Sequence, residues 1–346
     1  MALVARSWKP SQARHHRNGH RHSRKRRVSR AAATVKIAYL IRAHRAPAQV
    51  ARLVGALRRE GAQFFVHIDA KVDEGPFRAA LAAPDVRFIA RRTRMNWGGY
   101  SMVRATLQCL RELLAAYDEG APDRVVNMSG QDYPLISNAA IAEYFARHAD
   151  IEFISYGAMP PAFWGPVQMQ RIERYQFYDC EALVWPSNTN GALSRRLPWR
   201  LRMAHKLAHW LLPRRSLPAG VTPYGGSAWW CLTGATARRL LALADENPAL
   251  ARFYRYTLHP EEMYFQTLLM NSGMDPARVR GEYLEKALGD YLWFVDWRGA
   301  SPRILRADDL DLLLRANRMF ARKFDAGLDS RVLDLIDAAR LSHTLR

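Results

Sequence analysis

Apolar runs of strand length alternate with helix-patterned stretches through the first half of this sequence, and that alternation restricts the fold more than any other feature. Lys36–Arg42 (KIAYLIR) is the first run, and a helical pattern follows from about Pro47 to Arg59, with Val50, Leu53, Val54 and Leu57 on one face. Gln63–Asp69 (QFFVHID), Val86–Ala90, Arg124–Met128 and Ile151–Ser155 read as further strands. Ser101–Tyr117 and Asn138–His148 read as helices, the former with Val103, Leu107, Leu110, Leu113 and Leu114 on one side. Strands interleaved with helices predict an α/β fold, a mainly parallel sheet with right-handed crossovers. Ligands of such sheets bind outside the carboxyl ends of the strands. His67, Asp69, Ser129 and Asp132 fall at those ends, and His44 and Arg45 fall in the first strand–helix loop.

Several chemistries lose support at once. No GxGxxG follows the first strand and no GxxxxGK[ST] occurs, which weakens the dinucleotide and P-loop readings. No apolar run of 18 residues occurs, so no membrane span is expected, and the N-terminus lacks the apolar region of a secretory signal. Cys109, Cys180 and Cys231 are far apart and fit no metal spacing, which suits free thiols in a reducing compartment. The formal charge is +20, but eleven Lys/Arg and no acid lie between Met1 and Lys36, leaving +9 for the body. The tail Ala13–Arg27 has almost no apolar content and is expected to be disordered.

Regular strands fade between Pro160 and Pro223. Pro198–Leu212 (PWRLRMAHKLAHWLL) reads as a basic amphipathic helix, with Trp199, Met203, Leu207, Trp210 and Leu211 on one face. It suits either a membrane surface or acceptor, or an apolar side packed on the domain. Gly225–Thr233 (GGSAWWCLT) reads as a turn entering a buried strand, and a helix is expected from about Thr236 to Leu243. The C-terminal segment holds Arg315, Arg318, Arg322 and Lys323 within nine residues, either a solvated face or an anion clamp.

His259–Thr267 (HPEEMYFQT) is the stretch with the clearest chemical content. Pro260 suits the first turn of a helix with His259 as cap, and Glu261 and Glu262 share that turn. Such acids either favour the helix dipole or place a carboxylate at a cleft as a base. Trp97–Gly98–Gly99 permits close approach by a nucleotide or by a neighbouring helix. Trp229 and Trp230 face opposite sides of a strand, one toward an acceptor and one inward. The only Asp-x-Asp is Asp309–Asp311, inside a predicted helix where the side chains diverge, so no metal ligand set is expected.

The motifs KIAYLI-x-AH (Lys36–His44), FFVHIDAK (Phe64–Lys71), WGGYSMVRATL (Trp97–Leu107), NMSGQDYPL (Asn127–Leu135), GGSAWWCLT (Gly225–Thr233), HPEEMYFQTLLMNS (His259–Ser272), VDWRGASPRIL (Val295–Leu305) and FARKFD (Phe320–Asp325) occur in order. Together they resemble glycosyltransferase family 14, which holds the core-2/I-branching β-1,6-N-acetylglucosaminyltransferases and the peptide O-xylosyltransferases. The resemblance runs from about Lys36 to Asp337. It implies a GT-A-like fold with the basic C-terminal segment closing the donor site, an inverting mechanism and a UDP-sugar donor. It also implies independence from divalent metal, as in the branching enzymes. By that resemblance Glu262 is the catalytic base, Lys323 contacts the diphosphate, and Arg303 is preferred over Arg298 as its partner. The same resemblance favours donor contact for Asp69 and Asp132; His67, Gly98 and Gly99 are also assigned to the donor side, and Glu261, Trp229 and Trp230 to the acceptor side. Asp69 alternatively caps a turn, and Asp132 alternatively makes an Asx-turn before Pro134.

The expectation is therefore a basic tail (1–35) and one GT-A-like domain (36–346). That domain comprises a nucleotide-sugar half (36–157), an acceptor half with the catalytic Glu (158–295) and a diphosphate-binding segment (296–346). The expected reaction moves N-acetylglucosamine or xylose to a hydroxyl of a glycan, lipid-linked sugar or peptide, without metal or cofactor. A cytoplasmic location is expected, with peripheral contact to an anionic membrane face. The alternative is a non-catalytic protein that binds anionic polymer or membrane through its tail, with nucleic acid the weaker partner.

Overall fold

The computed structural model describes residues 35–117, 120–160, 169–179, 199–200, 203, 207, 211–282, 292–298 and 301–341. The tail and Cys180 lie outside the described residues, as does most of the 198–212 stretch.

The main sheet is built from β1 (Ile37–Ala43), β2 (Ala62–Ile68), β3 (Val86–Phe88), β4 (Arg124–Ser129), β6 (Glu152–Ala158), β7 (Tyr224–Gly225), β8 (Trp230–Thr233) and β9 (Val279–Glu282). Its order is β3-β2-β1-β4-β8-β6-β7, with β9 beside β6. From β3 to β4 every pair is parallel. Only β8 and β7 run against their neighbours, so the sheet is mostly parallel, as the alternation predicts. A second sheet joins β5 (Asp132–Pro134), β10 (Trp293–Val295) and β11 (Phe320–Arg322) in the order β10-β11-β5.

The helices that matter here are α1 (Pro47–Leu57), α2 (Ser101–Ala115), α3 (Asn138–Arg147), α4 (Gly234–Glu246), α5 (Tyr264–Met270) and α6 (Arg331–Arg340). Alternation along β1 sends Ile37, Tyr39 and Ile41 to one core with α1, α3 and α6, and Ala38 and Leu40 to the other with α2, α4 and α5. Both faces of the sheet are thus covered, which is why β1 reads as a continuous apolar run. Among the described residues no helix is long and apolar enough to cross a membrane.

The chain builds β1, β2 and β3 outward in one direction, then returns to place β4 on the other side of β1. That reversal leaves a crevice between the carboxyl ends of β1 and β4. Two glycine-dependent contacts tighten it. The Gly130 N–H donates to Arg42 O at 3.0 Å, and a Cβ there would meet Val50 Cγ2 at 2.8 Å. The second sheet then carries the C-terminal segment to the same place, because Arg322 pairs with Asp132 in register.

The expected helix from Pro260 is interrupted. Pro260–Glu262 form a single 3-10 turn, Met263 has φ −139°, and the α-helix begins at Tyr264. His259 sits in the left-handed region at φ 50° and its side chain makes no capping bond. The interruption has a tertiary cause: the Glu262 carbonyl accepts from the Gly226 N–H at 2.7 Å, which holds the turn against the β7–β8 connection.

Candidate active site

The turn at Pro260 sends its two acids in different directions. Glu262 keeps 25% of its side chain exposed, and its Oε2 accepts from Arg171 Nη2 at 2.6 Å. Arg171 also donates from Nε to Leu258 O at 3.2 Å, so it fixes the carboxylate and the backbone leading to it. Glu261 turns inward and is buried, with Oε1 3.6 Å from His259 Nδ1. Burial alone would raise the Glu261 pKa, but the close approach and charge of His259, with Arg42 beyond, hold it below the ordinary carboxylate value. Burial acts against a charged His259, and Glu261 outweighs it, raising the imidazole pKa. Glu261, expected at the acceptor, is 6% exposed, and its Oε2 is unpartnered among the described residues.

The Trp97–Gly99 turn lies against the same segment. Gly98 has φ +79° and its carbonyl accepts from His259 N–H at 2.9 Å. A Cβ on Gly99 would come within 2.3 Å of Asp179 Oδ1, the carboxylate that binds the Ser101 N–H and hydroxyl at the start of α2. The close approach these glycines permit here is to Leu258, His259, Tyr178 and Asp179. Trp97 itself is 58% exposed and meets His259 edge-on, with ring centres 4.4 Å apart.

Of the tryptophan pair, Trp230 is the one that packs inside. It is fully buried against Phe265, which corrects its assignment to an acceptor. Trp229 stays partly buried at the crevice, with the Arg322 guanidinium 4.1 Å and the Arg42 guanidinium 5.3 Å from its ring centre. Arg322 donates from Nε to Asp132 Oδ1 at 3.1 Å. Asp132 is buried, and each of its oxygens accepts two bonds: Ser129 Oγ and Arg322 on Oδ1, Ser129 N–H and Trp293 Nε1 on Oδ2. It anchors the second sheet to β4, a structural role beside the donor contact expected of it and its alternative, the Asx-turn.

Lys323 follows Arg322 and lines a cavity of about 520 Å³ with Ser301, Pro302, Arg303, Ile304 and Arg306. Burial first, then the charges of Arg322 and Arg45, lower its pKa. Arg303 shares that cavity, but its guanidinium is held by two carboxylates, Asp296 at 2.8 Å and Asp309 at 2.6 Å. Asp309, half of the Asp-x-Asp, is thereby an arginine partner. Among the described residues no group of three or more His, Cys, Asp or Glu is placed to hold a metal ion.

Asp69 ends its strand as a cap. Its Oδ1 accepts from the Lys71 N–H at 3.0 Å and the Met95 N–H at 3.3 Å, and Lys71 Nζ lies 3.6 Å from Oδ2. His67 is fully buried and its Nε2 accepts from the Thr93 N–H at 2.9 Å. Burial, then the charge of Arg42, bring its pKa down to about 4, and its Nδ1 has no partner among the described residues. His44 feels Arg45, Asp69, Lys71 and Lys323 together, which puts the loop after β1 beside the C-terminal cations.

A series of neighbours links Glu262 to Lys323. Lys323 is joined to Arg322, Arg322 stacks on Trp229, and Gly226 in the same connection holds the Glu262 carbonyl. Sequence reasoning missed Arg171, Arg42 and Gln49. Gln49 is buried on α1, where its amide donates to Gly130 O at 3.0 Å and Phe324 O at 3.1 Å and accepts from Ala326 N–H at 2.7 Å. The signal for Arg42 was present as a lone charge inside an apolar strand; Arg171 lay where the sequence pattern fades.

Comparison with known proteins adds an independent finding. The family model described as Core-2/I-Branching enzyme matches residues 37–311. Xylosyltransferase 2 of Homo sapiens is 30% identical over 318 residues, 88% of this chain and 33% of the relative. Xylosyltransferase 2 of Rattus norvegicus is 29% identical over the same length, and xylosyltransferase 1 of Pan troglodytes 27%, with 30% of that relative covered. The chain spans about a third of the length of the curated relatives it matches.

Proposed function

Because this chain belongs to the Core-2/I-branching enzyme family, we propose that it is an inverting glycosyltransferase that moves a sugar from a UDP donor to an acceptor hydroxyl. What supports this reading is a part-exposed, arginine-held carboxylate, Glu262, linked through the Gly226–Trp229 connection and Arg322 to the crowd of cations at Lys323. Glu262 takes the proton of the acceptor hydroxyl as its oxygen attacks the anomeric carbon. The bond from that carbon to the diphosphate breaks, and UDP departs with the electron pair. Lys323, with Arg303 on the same cavity wall, offsets the charge that develops on the leaving group. The names of the relatives favour xylose as the first donor to test, with N-acetylglucosamine second. Glycans, lipid-linked sugars and peptides are the acceptor classes.

The direct test is UDP release and product formation with a panel of UDP-sugars. Turnover with at least one donor and protection by UDP against heat are expected; neither with any donor would sink the reading. Activity should also persist in EDTA. The motive is the segment after β4, SGQDYP, which offers one Asp where metal-dependent enzymes need a ligand pair. Complete loss on chelation, restored by Mn²⁺, would contradict it.

Peripheral contact with an anionic bilayer is a second, compatible reading. Trp199, Met203, Leu207 and Leu211 are each exposed at four-residue spacing, against the alternative that this side packs on the domain. Residues 182–244 contain no Asp or Glu. Apolar and basic residues so combined suit an interfacial position. The full chain is expected to sediment with phosphatidylglycerol-containing vesicles and less after Met203→Glu/Leu207→Glu; equal sedimentation would discount the stripe.

A further inference from the structure

Resting on the transferase reading above, we infer that Arg42 and Glu261 together bind one hydroxyl of the transferred sugar and so help select the donor. Arg42 is only 4% exposed, yet its Nε and Nη1 have no hydrogen-bond partner among the described residues. Glu261 is 6% exposed, and its Oε2 is unpartnered in the same way. Each lies within the other's electrostatic reach, but no hydrogen bond joins these atoms. Buried charged groups left in this state incur a large desolvation cost, so the arrangement calls for something between them.

The chemistry of the pair narrows what that is. The occupant must accept from a guanidinium and donate to a carboxylate. A hydroxyl does both through one oxygen. A phosphate or carboxylate would satisfy Arg42 and be repelled by Glu261; an ammonium would do the reverse. A neutral hydroxyl group fits both sides.

The position of the pair says whose hydroxyl it is. Arg42 lies over the Trp229 ring, which also carries Arg322, the residue before Lys323. Glu261 is the residue before Glu262. The pair thus neighbours both the segment of the cation assigned to the diphosphate and that of the carboxylate assigned to the acceptor proton. In an inverting displacement the transferred sugar sits between those two groups, with leaving group and acceptor on opposite sides of its anomeric carbon. Asn127 Nδ2 donates to Ala228 O at 2.8 Å and Gln266 Nε2 to Ser227 O at 2.7 Å, which fixes the strand that presents Trp229. A buried water is the rival occupant.

The experiment compares UDP-sugars that each lack a single hydroxyl with the parent donor, using the full chain. The wild type is expected to reject one of these deoxy donors by upwards of about 10²-fold in kcat/KM, because buried polar groups then lose their partner. Arg42→Met/Glu261→Met removes both charges together while keeping volume, which avoids stranding one of them. It should narrow that rejection to less than about tenfold. Glu261→Gln, which retains shape, should give an intermediate ratio and serves if the double variant does not fold. An unchanged deoxy profile in the variants would overturn the inference, as would unchanged turnover of the parent donor, the mark of a water-filled gap. No turnover by the wild type with any donor would take down the transferase reading and this inference with it. An active wild type with an unaltered profile in the variants would take down this inference alone.

Discussion

Replacing Glu262 by glutamine is expected to lower turnover by about 10²–10⁴-fold, the usual size of a general-base contribution, while UDP affinity holds. The substitution is nearly isosteric, and the amide oxygen can still accept from Arg171 Nη2, now at 2.6 Å from the carboxylate. What it removes is the capacity to take a proton. It also removes the negative charge facing Arg171, whose side chain is only 12% exposed. A modest fall in thermal stability should accompany the loss, so UDP binding must be measured alongside to show that the crevice survives. Unchanged turnover would move the base elsewhere.

Lys323→Ala is expected to cost on the order of 10²–10³-fold in turnover, comparable to removing one donor from a preorganised electrostatic site. It should weaken UDP more than uridine, since the lysine is assigned to phosphate alone. Equal effects on both ligands would remove it from that site. The free protein offers a second readout. Burial and the nearby Arg322 and Arg45 disfavour the charged lysine in the fold, so its pKa is lowered. A lysine with a depressed folded pKa is a penalty on stability below that pKa, and the penalty vanishes only above the unfolded value. At neutral pH the alanine variant, without ligand, should therefore be at least as heat-stable as the wild type. A drop in its melting temperature would show that the lysine is paired rather than crowded.

How much of this was legible depends on range. β1, β2, β4 and β6 could be read because each is buried on both faces and so stays apolar along its length. The three-residue strands β5, β10 and β11 carry no usable period, so the second sheet was not foreseen and Arg322 was read only as part of a basic cluster. The broken helix at Met263 was hidden for another reason. The hydrogen bond that breaks it comes from Gly226, far away in the chain, while the local sequence favours a helix. Motif position named Glu262 and Lys323, but not the partners that hold them. Arg171 reaches Glu262 across 91 positions, and Asp132 holds Arg322 across 190.

That last bond has a consequence for biosynthesis. The second sheet is shared between a strand early in the polypeptide and one near its close, so a nascent chain emerging from the ribosome has Asp132 long before Arg322. That sheet is complete only when the final stretch has docked. Premature stops in that stretch would yield proteins with most of the main sheet intact and the Asp132 carboxylate without its arginine.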